Sequence, residues 1–307
     1  MDRTSSTERT SVPSSGFDVC VVGHVTTDIV KVGQTKRITP GGTAYYTALA
    51  LRRLGLRVAV VTNGARKDRD RLLRELMINN VAISWKESKT TAAFENTYGQ
   101  NNLDARSQEI KAIGTPFLPE DVEGIRASSF HLGPLTKQDI PLQLLRQLAG
   151  RAKIVSLDVQ GMVRLSCVGP VTHEDWAEKQ EWLERVDILK ADESEAIIVS
   201  GEKDVERAAS VLASFGPMEV VITLGSRGSL IYTEQKLHKI PSCTPTKTGD
   251  PTGCGDTYIG GYLYERLRGT TPEMAGRFAA AMVTLKLEGP GPFSGNKADV
   301  WALLSRK

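Results

Sequence analysis

From Val19 onward, short apolar runs recur along the chain, each stopping at a polar or glycine-containing point and giving way to positions with helical spacing. Val19 to Val22 leads to Gly23 and then Asp28. Val58 to Val61 leads to Thr62, Asn63 and Gly64, and Ile154 to Leu157 runs into Asp158. Val186 to Leu189 is followed by Asp192, and Val220 to Ile222 by Thr223, Leu224 and Gly225. That alternation predicts an α/β fold with a doubly wound, mostly parallel sheet. In such sheets ligands sit outside the carboxyl ends of the strands, so these polar termini are expected to converge on one cleft.

The helices carry their own punctuation. Tyr45, Ala48, Leu49 and Arg52 recur at helical spacing, with Gly55 where a C-terminal cap is expected. Thr271-Pro272 reads as an N-cap followed by proline at the first helical position. Residues 86–113 break the rhythm, being polar and β-branched without a helical face, which predicts an excursion into β structure. Residues 1–15, rich in Ser, Thr and Arg, read as a disordered tail. With no internal repeat or linker in view, residues 16–307 are expected to form one domain.

Composition narrows the partners more than the fold. The chain has 307 residues, enough for a sizeable core, and a formal charge of +3. So small a surplus predicts no attraction to nucleic acid or to anionic membranes, and a nucleotide would need a local site. Cys20, Cys167, Cys243 and Cys254 are far apart and make no Cys-x-x-Cys pair, which predicts free thiols in a reducing compartment and a cytoplasmic location. No apolar stretch reaches the ~18 residues that suggest a spanning helix. His24, His131, His173 and His238 are isolated in sequence and give a histidine-based mechanism no support.

The densest chemistry lies in Asp250-Pro251-Thr252-Gly253-Cys254-Gly255-Asp256-Thr257-Tyr258. Gly253 and Gly255 leave backbone N–H groups open to an anion at the start of the next helix. A carboxylate beside an anion site is repulsive unless it takes a proton from something other than the phosphate, which points to Asp256 as a catalytic base. A glycine turn with an aspartate cap is also found without chemistry. The spacing is neither the Gly-Lys-Ser/Thr phosphate loop nor the dinucleotide fingerprint.

This run resembles the signature of the ribokinase-like (PfkB) carbohydrate kinases, Asp-Thr-x-Gly-Ala-Gly-Asp, with Pro251 and Cys254 as departures. The resemblance extends in order from Gly23 and Asp28 through Gly41-Gly42 and Glu195 to Asp256, and some features are inositol-kinase-like. It implies a three-layer ribokinase-like fold with a small β lid near 29–40 and 86–113, and leaves room for a homodimer through that lid. It implies ATP as co-substrate and Mg2+ as cofactor, with Asp256 as base and Gly253, Cys254 and Gly255 as the anion hole. Asp28, Gly41, Gly42, Tyr46 and Gln160 are the positions it assigns to the acceptor, either Tyr45 or Tyr46 being open to a plain core role.

For the donor, Thr223, Gly225 and Gly228 match a Thr-x-Gly-x-x-Gly turn that can equally close a hairpin. Lys190-Ala191-Asp192-Glu193-Ser194-Glu195 matches the family's Asn-x-x-Glu, with Glu195 organising the metal and Asp192 in place of asparagine. Asparagine can donate to a phosphate and an ionised aspartate cannot. A second carboxylate at a hydrated Mg2+ is one reading of that change, and an acidic helix start is the other. The function expected is phosphorylation of a sugar or polyol hydroxyl. A nucleoside kinase, a non-catalytic nucleotide or sugar sensor, and a nucleotide hydrolase are the alternatives.

Overall fold

The computed structural model describes residues 8–9, 16–99 and 106–306. Its larger sheet has ten strands. In spatial order they are β1 (Glu8–Arg9), β6 (Ala82–Glu87), β5 (Val58–Gly64), β2 (Phe17–Gly23), β9 (Ala127–Gly133), β10 (Ile154–Asp158), β12 (Ile188–Asp192), β13 (Glu219–Thr223), β14 (Ser229–Thr233) and β15 (Lys236–Ile240). From β6 across to β13 every pairing is parallel, and β1, β14 and β15 close the two edges antiparallel.

Helices cover both faces, and β2 shows why its sequence is apolar without alternation. Cys20 and Val22 pack with Leu144, Trp182 and Leu212 on one side, while Val19 and Val21 pack with Leu49, Leu72 and Phe278 on the other. A strand covered twice has no solvent face and needs no polar positions until it emerges. The first face carries α3 (Leu142–Leu148), α4 (Lys179–Leu183), α5 (Glu193–Ser200) and α6 (Val205–Ser214). The second carries α1 (Thr43–Arg53), α2 (Arg69–Ile78), α7 (Cys254–Leu267), α8 (Pro272–Leu287) and α9 (Lys297–Leu304). Thr271 caps α8 as its sequence suggests, its hydroxyl accepting from the Met274 N–H.

A second, five-stranded sheet runs β11 (Gly169–Pro170), β8 (Arg106–Ala112), β7 (Ala93–Tyr98), β3 (Thr26–Val32) and β4 (Thr35–Gly41). The β excursion expected over 86–113 thus begins later, because Lys86 and Glu87 still pair with Asn63 and Gly64 in the large sheet. Of the expected tail, Glu8–Arg9 pairs with Ser84 and Trp85 of β6, and its other residues up to 15 lie outside the described residues. Among the described residues no helix is long and apolar enough to cross a membrane.

Candidate active site

The strands β10, β12 and β13 end at Asp158, Asp192 and Thr223, so the parallel sheet delivers three polar termini to the same edge. Above them the glycine turn enters α7. Gly253 is its N-cap and has φ 78°, the left-handed region where a side chain is strained. Space imposes the same choice, since a Cβ there would strike the Tyr46 ring. Asp256 lies in the first turn of α7, whose backbone is tied to α1 by the Thr47 hydroxyl donating to the Asp256 carbonyl at 3.1 Å.

Asp256 and Gly253 line a cleft with Asp28, Gly42, Tyr46 and Gln160, so six positions expected in the site meet there. Gly41 stands behind Asp28, and a side chain at Gly41 would collide with that carboxylate. Asp28 is buried and accepts from the Thr26 hydroxyl at 2.5 Å. Tyr45 and Tyr46 divide the two roles left open by their sequence. Tyr46 packs under the turn and faces the cleft, whereas Tyr45 donates its hydroxyl to Glu75 on α2. Burial and the nearby charges of Asp28 and Asp250 raise the Tyr46 phenol well above its usual range, so it is neutral wall.

The small sheet's contributors to this cleft had no sequence signal. Asn96 of β7 donates to Asp28 at 3.4 Å and accepts from Gln108 of β8 at 2.7 Å, so the small sheet lends the cleft a run of carboxamides. Arg164 is buried and lines the cleft with Gln160, because the 3-10 turn Val159–Val163 curls both toward it. The small sheet also grips the glycine turn. Arg37 of β4 pairs with the Asp250 carboxylate at 2.7 Å, and Tyr98 of β7 bonds Thr252 at 3.1 Å.

Beside this cleft, Asp192 and Glu195 form a reciprocal cap on α5, each carboxylate accepting from the other's backbone N–H, at 2.9 and 2.8 Å. Glu195 is buried, and burial followed by the charge of Asp192 pushes its carboxyl up to about 8. Burial opposes the charge of Asp192, but the Glu195 N–H and the Lys190 ammonium outweigh it and hold that carboxyl low. Among the described residues no three carboxylate, His or Cys groups converge closely enough to hold a metal directly. Thr223, Gly225 and Gly228 lie in the turn that closes β13 onto β14, where Leu224 N–H bonds the Gly228 carbonyl at 2.8 Å. The turn is therefore a hairpin, and it sits next to Asp192, which pairs with Thr223 across the strands.

Fold and site together define a kinase of the ribokinase-like type. The sequence matches the pfkB family of carbohydrate kinases over residues 17–297, and the chain belongs to that family. It is similar to a cytidine kinase of Thermococcus kodakarensis, 28% identical over 262 residues that cover 82% of this chain and 90% of the relative. It is also similar to an inositol 3-kinase of Arabidopsis thaliana, 27% identical over 61% of this chain and 52% of the relative. A solved pyrophosphate-dependent kinase of the ribokinase family, complexed with a pyrophosphate analog and myo-inositol, superposes with TM-score 0.83. It is 27% identical and covers 92% of this chain and 99% of its own.

Proposed function

We propose that this kinase transfers the terminal phosphoryl group of ATP to a hydroxyl of a small polyol or sugar, with Asp256 as general base. One observation carries the reading: Asp256, at the start of α7, opens onto the same cleft as Asp28, Asn96 and Gln160. In the reaction the acceptor's hydroxyl proton passes to the Asp256 carboxylate as its oxygen bonds to the γ-phosphorus, and the bond to the departing ADP breaks. The backbone from Gly253 to Gly255 meets the charge spread over the transferred oxygens. Asp28 fixes the acceptor by accepting from its other hydroxyls, within reach of the carboxamides that support it. Thr223, Gly225 and Gly228 are assigned to the donor nucleotide.

The residues present fit a hydrated divalent ion better than a directly chelated one. Asp158, Asp192, Glu195 and Asp256 face the Lys190 ammonium, Arg164 is a second cation beside Asp192 and Glu195, and no closed ligand set forms among the described residues. Asp192 and Glu195 would hold Mg2+ through its retained waters, where it neutralises donor phosphate charge. We assign the small sheet the role of a lid that excludes water from the cleft, since its strands reach both the acceptor carboxylate and the glycine turn.

A polyol fits because the cleft's side chains are mostly polar, with Phe94 and Leu135 its smaller apolar part. The length of the similarity to a cytidine kinase supports a second reading, a nucleoside acceptor. The test is donor consumption with Mg2+ against inositols, pentoses, hexoses and nucleosides, using ATP and pyrophosphate as alternative donors. Polyol-dependent ADP formation supports the reading, and formation with nucleosides alone replaces it by the second. Donor consumption independent of any acceptor would make the protein a hydrolase.

A further inference from the structure

Two lysines, Lys190 and Lys286, are the buried ones among the described residues, and both abut the glycine turn. Lys286 donates to the Asp250 carbonyl and lies 5.8 Å from the centre of the Tyr46 ring, which packs against Gly253. It props the turn from the side of its first residue. Lys190 lies at the turn's later end, by Gly255. A Cβ built on Gly255 would stand 3.2 Å from the Lys190 nitrogen, and its next neighbour would be that same side chain's Cε at 3.6 Å. The absence of a side chain at Gly255 therefore opens the turn to an ammonium.

We propose that Lys190 is a further catalytic residue, whose ammonium contacts the oxygens of the phosphoryl group in transfer at the Gly255 end of the turn. The inference rests on the phosphoryl-transfer reading of this cleft. Its plain competitor is a buried ion pair with Asp158, whose carboxylate lies 3.0 Å from the ammonium. A pair with Asp158 alone does not account for the ammonium's place against Gly255, where the turn leaves out a side chain. The ammonium stands at the Gly255 end of the turn, where the next residue in the chain is the base Asp256. An anionic phosphoryl group arriving beside Asp256 requires such a charge.

Position on the strand explains why the duty falls to this residue. Lys190 and Asp192 are two apart on β12 and so share one face of the sheet. Asp192 stands where the family's motif has a phosphate-donating asparagine, and an ionised carboxylate cannot donate. Lys190 restores a donor on the same face, one pleat earlier. With three rotatable N–H donors it can keep Asp158 and still reach a phosphate oxygen.

The experiment compares Lys190→Met and Gly255→Ala with the wild type in kcat, acceptor KM, thermal midpoint and affinity for inorganic pyrophosphate by calorimetry. Lys190→Met should lower kcat by about 100-fold or more. It should weaken pyrophosphate binding by about tenfold or more, the worth of a hydrogen bond to a charged group. Acceptor KM should stay within about threefold. Gly255→Ala keeps the lysine but displaces it, so it should show the same signature, and the double variant should be no worse than the more damaged single one. Folded variants with wild-type kcat and pyrophosphate affinity would overturn the proposal, as would a loss of kcat that follows the melting temperature while pyrophosphate affinity holds. If Lys190→Met fails to fold, Gly255→Ala decides between these outcomes. A wild type that binds pyrophosphate through Lys190 yet turns over no acceptor would refute the kinase reading and leave the contact standing.

Discussion

The side of the cleft proposed for the donor is a glycine turn at one helix start, and the side proposed for the acceptor is lined by side chains from distant segments. Gly253, Cys254 and Gly255, the residues proposed for the anion hole, lie at one helix start where the Cys254 N–H bonds the Pro251 carbonyl at 3.1 Å, so that device falls within nine consecutive residues. Asp28 from β3, Asn96 from β7, Gln108 from β8 and Gln160 from the turn after β10 line the side proposed for the acceptor. A backbone device tolerates little variation in shape and much in side-chain identity, as Cys254 in the usual alanine position illustrates. A side-chain device can change its ligand by changing one carboxamide. The first therefore marks a family, and the second chooses a substrate within it.

The widest separation of the two sides comes from their carboxylates. Asp256→Asn should lower kcat by about 100- to 10,000-fold while donor and acceptor still bind, as measured by steady-state kinetics and calorimetry. Asp28→Asn should act instead on the acceptor, raising its KM by about 10- to 100-fold, the effect of losing hydrogen bonds to a charged group. Equal losses in kcat for both variants would erase the distinction. Gly253→Ala tests the backbone side in a third way. It forces a strained φ and a collision with Tyr46, and should cost about 1 to 3 kcal/mol in chemical denaturation as well as activity.

The scaffold beneath both sides makes a pH prediction. His131 on β9 is fully buried against Ser156, and burial depresses its imidazole from the usual 6.5 to about 4. Between those values the unfolded chain takes up a proton that the folded chain refuses, so stability is present above pH 6.5 and is lost as pH falls toward 4. The slope is at most about 1.4 kcal/mol per pH unit. In His131→Gln this part of the slope should vanish, and the stability gap between variant and wild type should narrow in acid; denaturant titrations from pH 7 to 4 would show it.

The smallest effect belongs to the link between the sides. Arg37 is 39% exposed, so its pair with Asp250 is partly screened by solvent. Arg37→Ala should lower kcat by about two- to fivefold, with the difference shrinking in high salt. An unchanged rate at low salt would remove this contact from the lid's grip on the turn.

Legibility in the sequence follows the same division. β2, β5, β10, β12 and β13 were readable because each is an apolar run that stops in polar residues at the cleft. β9 lies in the middle of the same sheet and was not readable, because Ser128, Ser129 and His131 interrupt its run. Ser129 and His131 are nonetheless fully buried, and His131 finds its partner across the sheet. The glycine turn was legible because its parts are consecutive. Asn96 was not, since it lies 68 residues from Asp28 and only the pairing of β3 with β7 brings them together. Lys190 was visible in a motif but had no role there, because the role proposed for it depends on the empty space at Gly255.

The most direct measurement is single-turnover phosphorus NMR of wild type and Asp256→Asn with ATP, Mg2+ and an acceptor taken from the panel. The wild type should yield a phosphorylated acceptor, and the variant a bound donor and acceptor with no product on the same timescale. Product formed by Asp256→Asn at the wild-type rate would contradict it, and the base would have to be sought elsewhere in the cleft.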